Sequence, residues 1–359
     1  IMAVAVFAPM NIGGFEVRAA GGSARITAGA YRQIGQTAQV QDRLFRHAAT
    51  LAPIYTALTF ILWLALVLCG EVPYIALCHA MSVLSTSGIS PIGGVYYAAA
   101  GFWGEVCIFA FFIFALSRLT FSRGMFGDSD ARLMRDPEIR LAIGLVAGTT
   151  LLLFARHYLG SIEEGLQSTW GGLFGSLWGS IFTVTSFLTT TGFESHFWDG
   201  ASRWSGLETP GLFLVGMALI GGGVATTAGG VKLLRVYALA RHSERELERL
   251  LHPSSVAGGG REARMIRRQG AYVSWIFFML FALSVAGTMI LLSLTGVQFE
   301  TSMVLTVASL STTGPLAVVA AETPISFSGL PDLAKTVLAA AMVLGRLEAL
   351  AIVALFNPE

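Results

Sequence analysis

Ser85-Thr86-Ser87-Gly88, Thr189-Thr190-Thr191-Gly192 and Ser311-Thr312-Thr313-Gly314 are three versions of one short phrase, hydroxyl side chains ending on glycine, whose glycines stand 104 and 122 residues apart. Each phrase closes a short apolar run, Val72 to Leu84, Ser176 to Leu188 and Thr301 to Leu310. Runs of about 10 to 14 residues are too short to cross a bilayer and suit re-entrant or interfacial helices. Longer apolar windows flank them: Pro53 to Gly70 and Tyr96 to Leu116, Leu141 to Leu159 and Leu207 to Ala240, Tyr272 to Leu294 and Leu333 to Phe356. The chain therefore reads as an internal repeat of helix, short re-entrant helix, hydroxyl-rich loop and helix. Six full spans are expected, with Ile1 to Pro9 as the end of a truncated one.

Composition agrees. Of 359 residues, 54% are hydrophobic and 13% charged, and the mean hydropathy is +0.67. These values exclude an ordinary soluble globular enzyme. A formal charge of +1 spread over this length argues against nucleic-acid binding. Cys69, Cys78 and Cys107 show no CxxC spacing and read as small hydrophobes, without support for disulfides or structural zinc. His47, His79, His157, His196, His242 and His252 are scattered, and no acid, base or nucleophile set recurs with the repeat, so the chain is not expected to be an enzyme.

The connector carrying Arg18, Arg25, Arg32, Arg43 and Arg46, the one carrying Arg118, Arg123, Arg132, Arg135 and Arg140, and the one from Lys232 to Arg268 together hold 19 of the 23 Lys and Arg residues. The positive-inside rule assigns them to the cytoplasm. The loops then open outward, on the side of Glu71, Glu194, Asp199, Glu208 and Glu322. Those carboxylates read either as an acidic mouth that concentrates cations or as ordinary solvated loop charge.

Irregular backbone at membrane depth persists only where it lines a cavity or is buried in protein. Carbonyl oxygens turned to a common axis can replace the hydration shell of a monovalent cation, and glycine permits the φ > 0 geometry that turns them. Each short helix would also aim its partly negative C-terminal end at that axis. The expected ion filter comprises Ser85, Thr86, Ser87, Gly88, Thr189, Thr190, Thr191, Gly192, Ser311, Thr312, Thr313 and Gly314, with a monovalent cation held by backbone at Thr86, Ser87, Thr190, Thr191, Thr312 and Thr313. The plainer reading, a glycine-capped helix end, fits one such site better than three matched ones.

Gly221, Gly222, Gly223, Val224, Ala225, Thr226, Thr227, Ala228, Gly229 and Gly230 interrupt the fourth window. Five glycines cannot hold a helix there, since each costs about 1 kcal/mol relative to alanine. The segment reads as a gate below a filter, or as a close-packing surface for another helix. Arg346, deep in the last window, needs a partner, and the carbonyls of this broken segment are plausible acceptors. Snorkelling to the cytoplasmic edge is the alternative. A pair with Glu348 is disfavoured, because residues two apart on a helix diverge. Glu105 is a further intramembrane carboxylate whose partner is not readable. Arg241 to Arg249 reads as a mixed-charge helix that either docks on a partner or is simply solvated.

These residues resemble the Trk/Ktr/HKT superfamily of potassium transporters, most closely its TrkH-like membrane subunits. The specific marks are Gly221 to Arg235 (GGGVATTAGGVKLLR), Leu344 to Glu348 (LGRLE) and the three loops, which match the family's second, third and fourth filter loops. The resemblance implies an all-α integral membrane protein with pseudo-fourfold units around one ion path, the first repeat being largely missing. Residues 1–47 would be the end of that repeat and a connector, 48–135, 136–265 and 266–359 the second, third and fourth. It further implies potassium uptake across the cell inner membrane through a carbonyl filter, homodimers, and a cytosolic TrkA/KtrA-type nucleotide-binding regulatory subunit. No organic cofactor is expected. A sodium-permeable or Na⁺/K⁺-coupled transporter and a non-conducting scaffold are the alternatives.

Overall fold

A computed structural model describes residues 40–116, 136–163, 170–198, 211–224, 226–252, 271–321 and 324–347. Among these every regular element is helical: α1 Val40–Leu68, α2 Pro73–Ser85, α3 Gly101–Leu116, α4 Pro137–Glu163, α5 Trp170–Leu188, α6 Gly211–Ile220, α7 Leu233–Leu251, α8 Ala271–Leu294, α9 Phe299–Leu310, the four-residue α10 Leu316–Val319, and α11 Asp332–Leu347. The expected stub Ile1 to Pro9, the basic connectors before residue 40 and from 117 to 135, and Glu348 to Phe356 lie outside the described residues.

The elements form three successive hairpins. α2 packs on α1 and α3, α5 on α4 and α6, and α9 on α8 and α11, while α7 runs back beside α4 and α8. Two of the short helices match their expected extents. The third, α5, has 19 residues rather than about thirteen, because its Gly- and Trp-containing start continues the helix before Ser176. Conversely, the window Tyr96 to Leu116 is α-helical only from Gly101, after a single 3-10 turn at Val95–Tyr97.

Pro137–Arg156 of α4 and Ser274–Leu294 of α8 are long and apolar enough to cross a membrane, with only 28% and 17% of their most apolar windows buried in protein. Ile143, Leu151 and Leu152 on α4 and Leu283, Ile290 and Leu291 on α8 are exposed. An apolar helix with so little protein cover is solvated by lipid chains. The core is where hairpins meet. Leu62, Leu66, Ala80, Ile108, Phe112 and Phe182 join α1, α2, α3 and α5, and Val184, Leu188, Leu214, Val304 and Ala308 join α5, α6 and α9. Leu292, Leu305 and Leu338 seal the last hairpin.

Lipid offers no hydrophobic drive for helix association, so close backbone approach at small residues matters more. A Cβ on Gly345 of α11 would overlap the Leu310 carbonyl of α9, and one on Gly211 would overlap that of Val319. These contacts set how near α11 and α6 come to the loop ends.

Candidate functional site

The three short helices end identically in backbone terms. At α2 the Thr86 N–H bonds the Val83 carbonyl at 3.1 Å and the Ser87 N–H that of Ser82 at 3.0 Å; at α5 the pairs are Thr190 to Phe187 (3.1 Å) and Thr191 to Ser186 (2.9 Å); at α9 they are Thr312 to Ser309 (3.1 Å) and Thr313 to Ala308 (2.8 Å). This is the Schellman pattern, which needs a left-handed residue at its turn. That residue is a threonine each time: φ is +50° at Thr86, +58° at Thr190 and +58° at Thr312. In each loop the flanking hydroxyls pair across it, Ser85 to Ser87 at 3.0 Å, Thr189 to Thr191 at 3.1 Å and Ser311 to Thr313 at 3.0 Å.

A β-branched residue in the left-handed region is an outlier, at a cost of about 1–3 kcal/mol. Among the described residues only Lys232 (φ +85°) is a further non-glycine with positive φ, and the other such positions are glycines. α1 and α8 close over Gly70 (φ +96°) and Gly296 (φ +86°). The threonines must therefore be doing something glycine cannot, and their hydroxyls show what. Thr86 Oγ1 donates to Thr227 Oγ1 at 3.0 Å, Thr190 Oγ1 accepts the Gly229 N–H at 2.9 Å, and Thr312 Oγ1 accepts from Arg346 Nη1 at 3.4 Å. Every strained threonine thus reaches the glycine-rich segment or the arginine beside it.

The expectation that glycine supplies the positive φ needs correction. Gly88 (φ +65°) and Gly192 (φ +80°) are left-handed, but Gly314 is not, and the turn itself belongs to threonine. The loops nevertheless meet. A Cβ on Gly88 would overlap the Thr191 carbonyl and sit 3.2 Å from Pro315, and one on Gly192 would lie 2.9 Å from Thr313 Cγ2. Thr313 Oγ1 donates to the Thr190 carbonyl at 3.4 Å. Thr86, Thr189, Thr190, Thr191, Ser311 and Thr313 are fully buried.

Helix does break within the fourth window, α6 stopping at Ile220 and α7 starting at Leu233. Ala225 lies outside the described residues. The segment packs closely where it meets the loops. A Cβ on Gly229 would overlap the Ser311 carbonyl, and one on Gly221 would overlap that of Gly229. The segment is pinned along its length. The Gly223 N–H bonds the Ala115 carbonyl at 3.0 Å, the Val224 N–H bonds Glu138 Oε1 at 3.0 Å, and Thr227 Oγ1 bonds the Leu84 carbonyl at 3.3 Å. Lys232 Nζ donates to the Thr226 carbonyl at 3.3 Å.

Arg346 reaches inward, as its cost in lipid demands. Nη1 donates to the Thr227 carbonyl at 2.7 Å and Nη2 to the Ser85 carbonyl at 2.8 Å. Broken-segment carbonyls were the expected acceptors, and Thr227 is one; Ser85 and Thr312 were not foreseen. The Ser85 carbonyl, engaged by Arg346 and by Thr86 Oγ1 at 2.8 Å, faces this contact. Among the described residues no group of His, Cys, Asp or Glu could hold a metal ion, so any cation here would rely on backbone and hydroxyl oxygen.

The outer carboxylates divide. Glu71 is buried and accepts the N–H groups of Val72 at 3.3 Å and Ala100 at 3.2 Å, a structural use. Asp199, Glu208 and Glu322 lie outside the described residues. Glu105 has its partners: Trp178 Nε1 at 2.8 Å, Ser195 Oγ at 2.7 Å and the His196 N–H at 2.6 Å. It ties α3 to the segment just after Gly192. In the mixed-charge stretch, Arg241 pairs with Glu244 at 2.7 Å on the exposed face of α7.

Sequence reasoning missed Glu138, Lys232 and Gly345. It also missed the threonine hydroxyls, although a signal existed: the second residue of all three phrases is threonine while the first and third vary between serine and threonine.

Half-length helices in hairpins, lipid-facing spans and a buried loop cluster define an all-helical integral membrane protein of the transporter type. A family model for TrkH, described as cation transport protein, matches residues 175–359. The Trk system potassium uptake protein TrkH of Salmonella typhimurium is 31% identical over 330 residues, covering 89% of this chain and 63% of that protein. Its Vibrio parahaemolyticus counterpart is 26% identical over 369 residues, covering 100% of this chain and 70% of that protein. The crystal structure of the potassium transporter TrkH from Vibrio parahaemolyticus superposes with a TM-score of 0.77 at 23% identity, over all of this chain and 69% of that one. The chain belongs to the TrkH family of cation transport proteins, and spans 63% of the length of the Salmonella relative.

Proposed function

We propose that this chain forms most of the membrane subunit of a potassium uptake system. K⁺ passes a filter built from the backbone of Thr86 to Gly88, Thr190 to Gly192, Thr312 to Gly314 and a loop of the first repeat, in a pseudo-fourfold arrangement. The observation that carries this reading is the threefold recurrence of a strained threonine whose hydroxyl contacts the central glycine-rich segment, at Thr86 and Thr190, or the Arg346 bound to it, at Thr312. Strain maintained three times over indicates a functional constraint. With Ser85 O and Ser311 O turned to Arg346 and the glycine-rich segment, the carbonyls that follow them are the ones left to replace ion hydration.

Gly221 to Gly230 is the gate in this reading, and Arg346 is its latch. The names of the relatives support potassium as cargo, and the word system in them supports a partner. The expected assembly is a homodimer regulated by a cytosolic nucleotide-binding subunit. The test is rubidium and sodium flux into proteoliposomes holding the complete protein. Rubidium flux competed by potassium is expected; equal sodium flux would replace potassium selectivity with general monovalent transport, and absence of both with the regulatory subunit present would leave a scaffold.

A further inference from the structure

Two of the three cysteines, 38 residues apart in sequence, meet. Cys69 Sγ lies 3.8 Å from Cys107 Sγ, with both residues half-buried. Cys69 sits just beyond the end of α1, next to the turn at Gly70, and Cys107 is on the first half of α3. With the basic connectors in the cytoplasm, both lie toward the outer surface. Aromatic side chains mark the depth: Trp103, one turn before Cys107 on α3, and Tyr74, at the start of α2, are each more than two-thirds exposed. Such residues gather at the membrane–water interface. The pair therefore sits at interfacial depth on the side where thiols meet an oxidising environment.

We propose that Cys69 and Cys107 are an oxidisable pair, a disulfide site on the outer face that closes the second hairpin. The oxidant class is an extracytoplasmic protein disulfide. The Cys69 thiol loses its proton, and the thiolate attacks one sulfur of the oxidant, forming a mixed disulfide and expelling the oxidant's first thiolate. The Cys107 thiolate then attacks Cys69 Sγ and expels the oxidant's second thiolate. Two protons and two electrons leave the pair and reduce the oxidant to a dithiol. The product links the outer end of α1 to α3 around a loop that contains Ser85 to Gly88. Cys78 on α2 takes no part. The inference is independent of which ion the protein carries.

The test uses the full-length protein in membrane vesicles treated with diamide or with an oxidised periplasmic-type dithiol, followed by alkylation, proteolysis and mass spectrometry. A Cys69–Cys107 linked peptide that vanishes on dithiothreitol treatment is expected. It should persist in C78S and be lost in C69S and C107S, where the remaining thiol becomes alkylatable. Oxidation should also raise the melting temperature of the wild-type and C78S proteins while leaving C107S unchanged. Full alkylation of both thiols after oxidant, or a link running to Cys78 or to another chain, would overturn the proposal.

Discussion

The Arg346 guanidinium donates to the Thr227 carbonyl at 2.7 Å across 119 residues of sequence. A cation on the last helix thereby holds the centre of a segment that breaks the fourth window, and its second arm holds Ser85. A charge-assisted hydrogen bond contributes about 1.5–3 kcal/mol. Loss of that contact should shift the proposed gate about tenfold or more toward its open form. Arg346→Gln in the complete protein is expected to raise basal rubidium flux by that order. Arg346→Lys, a single point charge that cannot bridge both carbonyls, should fall between. Unchanged flux in both variants would remove Arg346 from the latch.

Thr190 offers a cleaner probe of the strained turns. Its hydroxyl accepts the Gly229 N–H at 2.9 Å inside a fully buried site. Thr190→Val keeps the shape and deletes the acceptor, leaving a buried donor at a cost of about 1–3 kcal/mol. The melting temperature should fall and basal flux rise, while Thr190→Ser should retain both properties. Equal behaviour of Val and Ser would mean that the hydroxyl is idle.

The three loop glycines should not respond alike. Gly88→Ala and Gly192→Ala combine a left-handed backbone with a Cβ that collides with the neighbouring loop, whereas Gly314 has nothing within 4 Å of its Cβ position among the described residues. The rubidium-to-sodium flux ratio should collapse in the first two and hold in Gly314→Ala. A loss at Gly314→Ala equal to that at Gly192→Ala would show that another segment closes on it.

Glu105 organises the outer end of the third loop from a different hairpin. Glu105→Ala would strand the Trp178 and Ser195 side chains and the His196 N–H without their acceptor. A buried donor left without its acceptor costs about 1–3 kcal/mol. A drop in the melting temperature in detergent is expected, with Glu105→Gln intermediate because its Oε1 can still accept while its NH2 group cannot. A melting curve unchanged in Glu105→Ala would show that those donors find water instead.

Much of this site was legible because it rests on local chemistry. The hydroxyl-rich loops, the short α2 and α9 and the break at Gly221 to Gly230 follow from run lengths and glycine content and recur in the structure at the same places, whereas α5 extends to 19 residues. What could not be read is who touches whom. Glu105 looked like a solitary carboxylate because its three donors lie 73 to 91 residues away. Glu71 read either as part of an acidic mouth or as solvated loop charge, and neither reading foresaw its burial, which depends on the N–H of Ala100 just before α3. The cysteines read as inert for the same reason, since 38 residues of intervening chain hide their contact.

Sequence by itself determined that the chain lives in lipid, that its helices come in full and half lengths, and that hydroxyl-rich turns end the half-length ones. Those properties depend on solvent preference and backbone propensity, which act residue by residue. Only the tertiary structure decided that threonine takes the left-handed turn where glycine would be cheaper. The reason is that Thr86, Thr190 and Thr312 use their hydroxyls on partners far away in the chain, Thr227, Gly229 and Arg346. A local strain is tolerated when a distant bond over-determines it, and that bond exists only once the hairpins have packed.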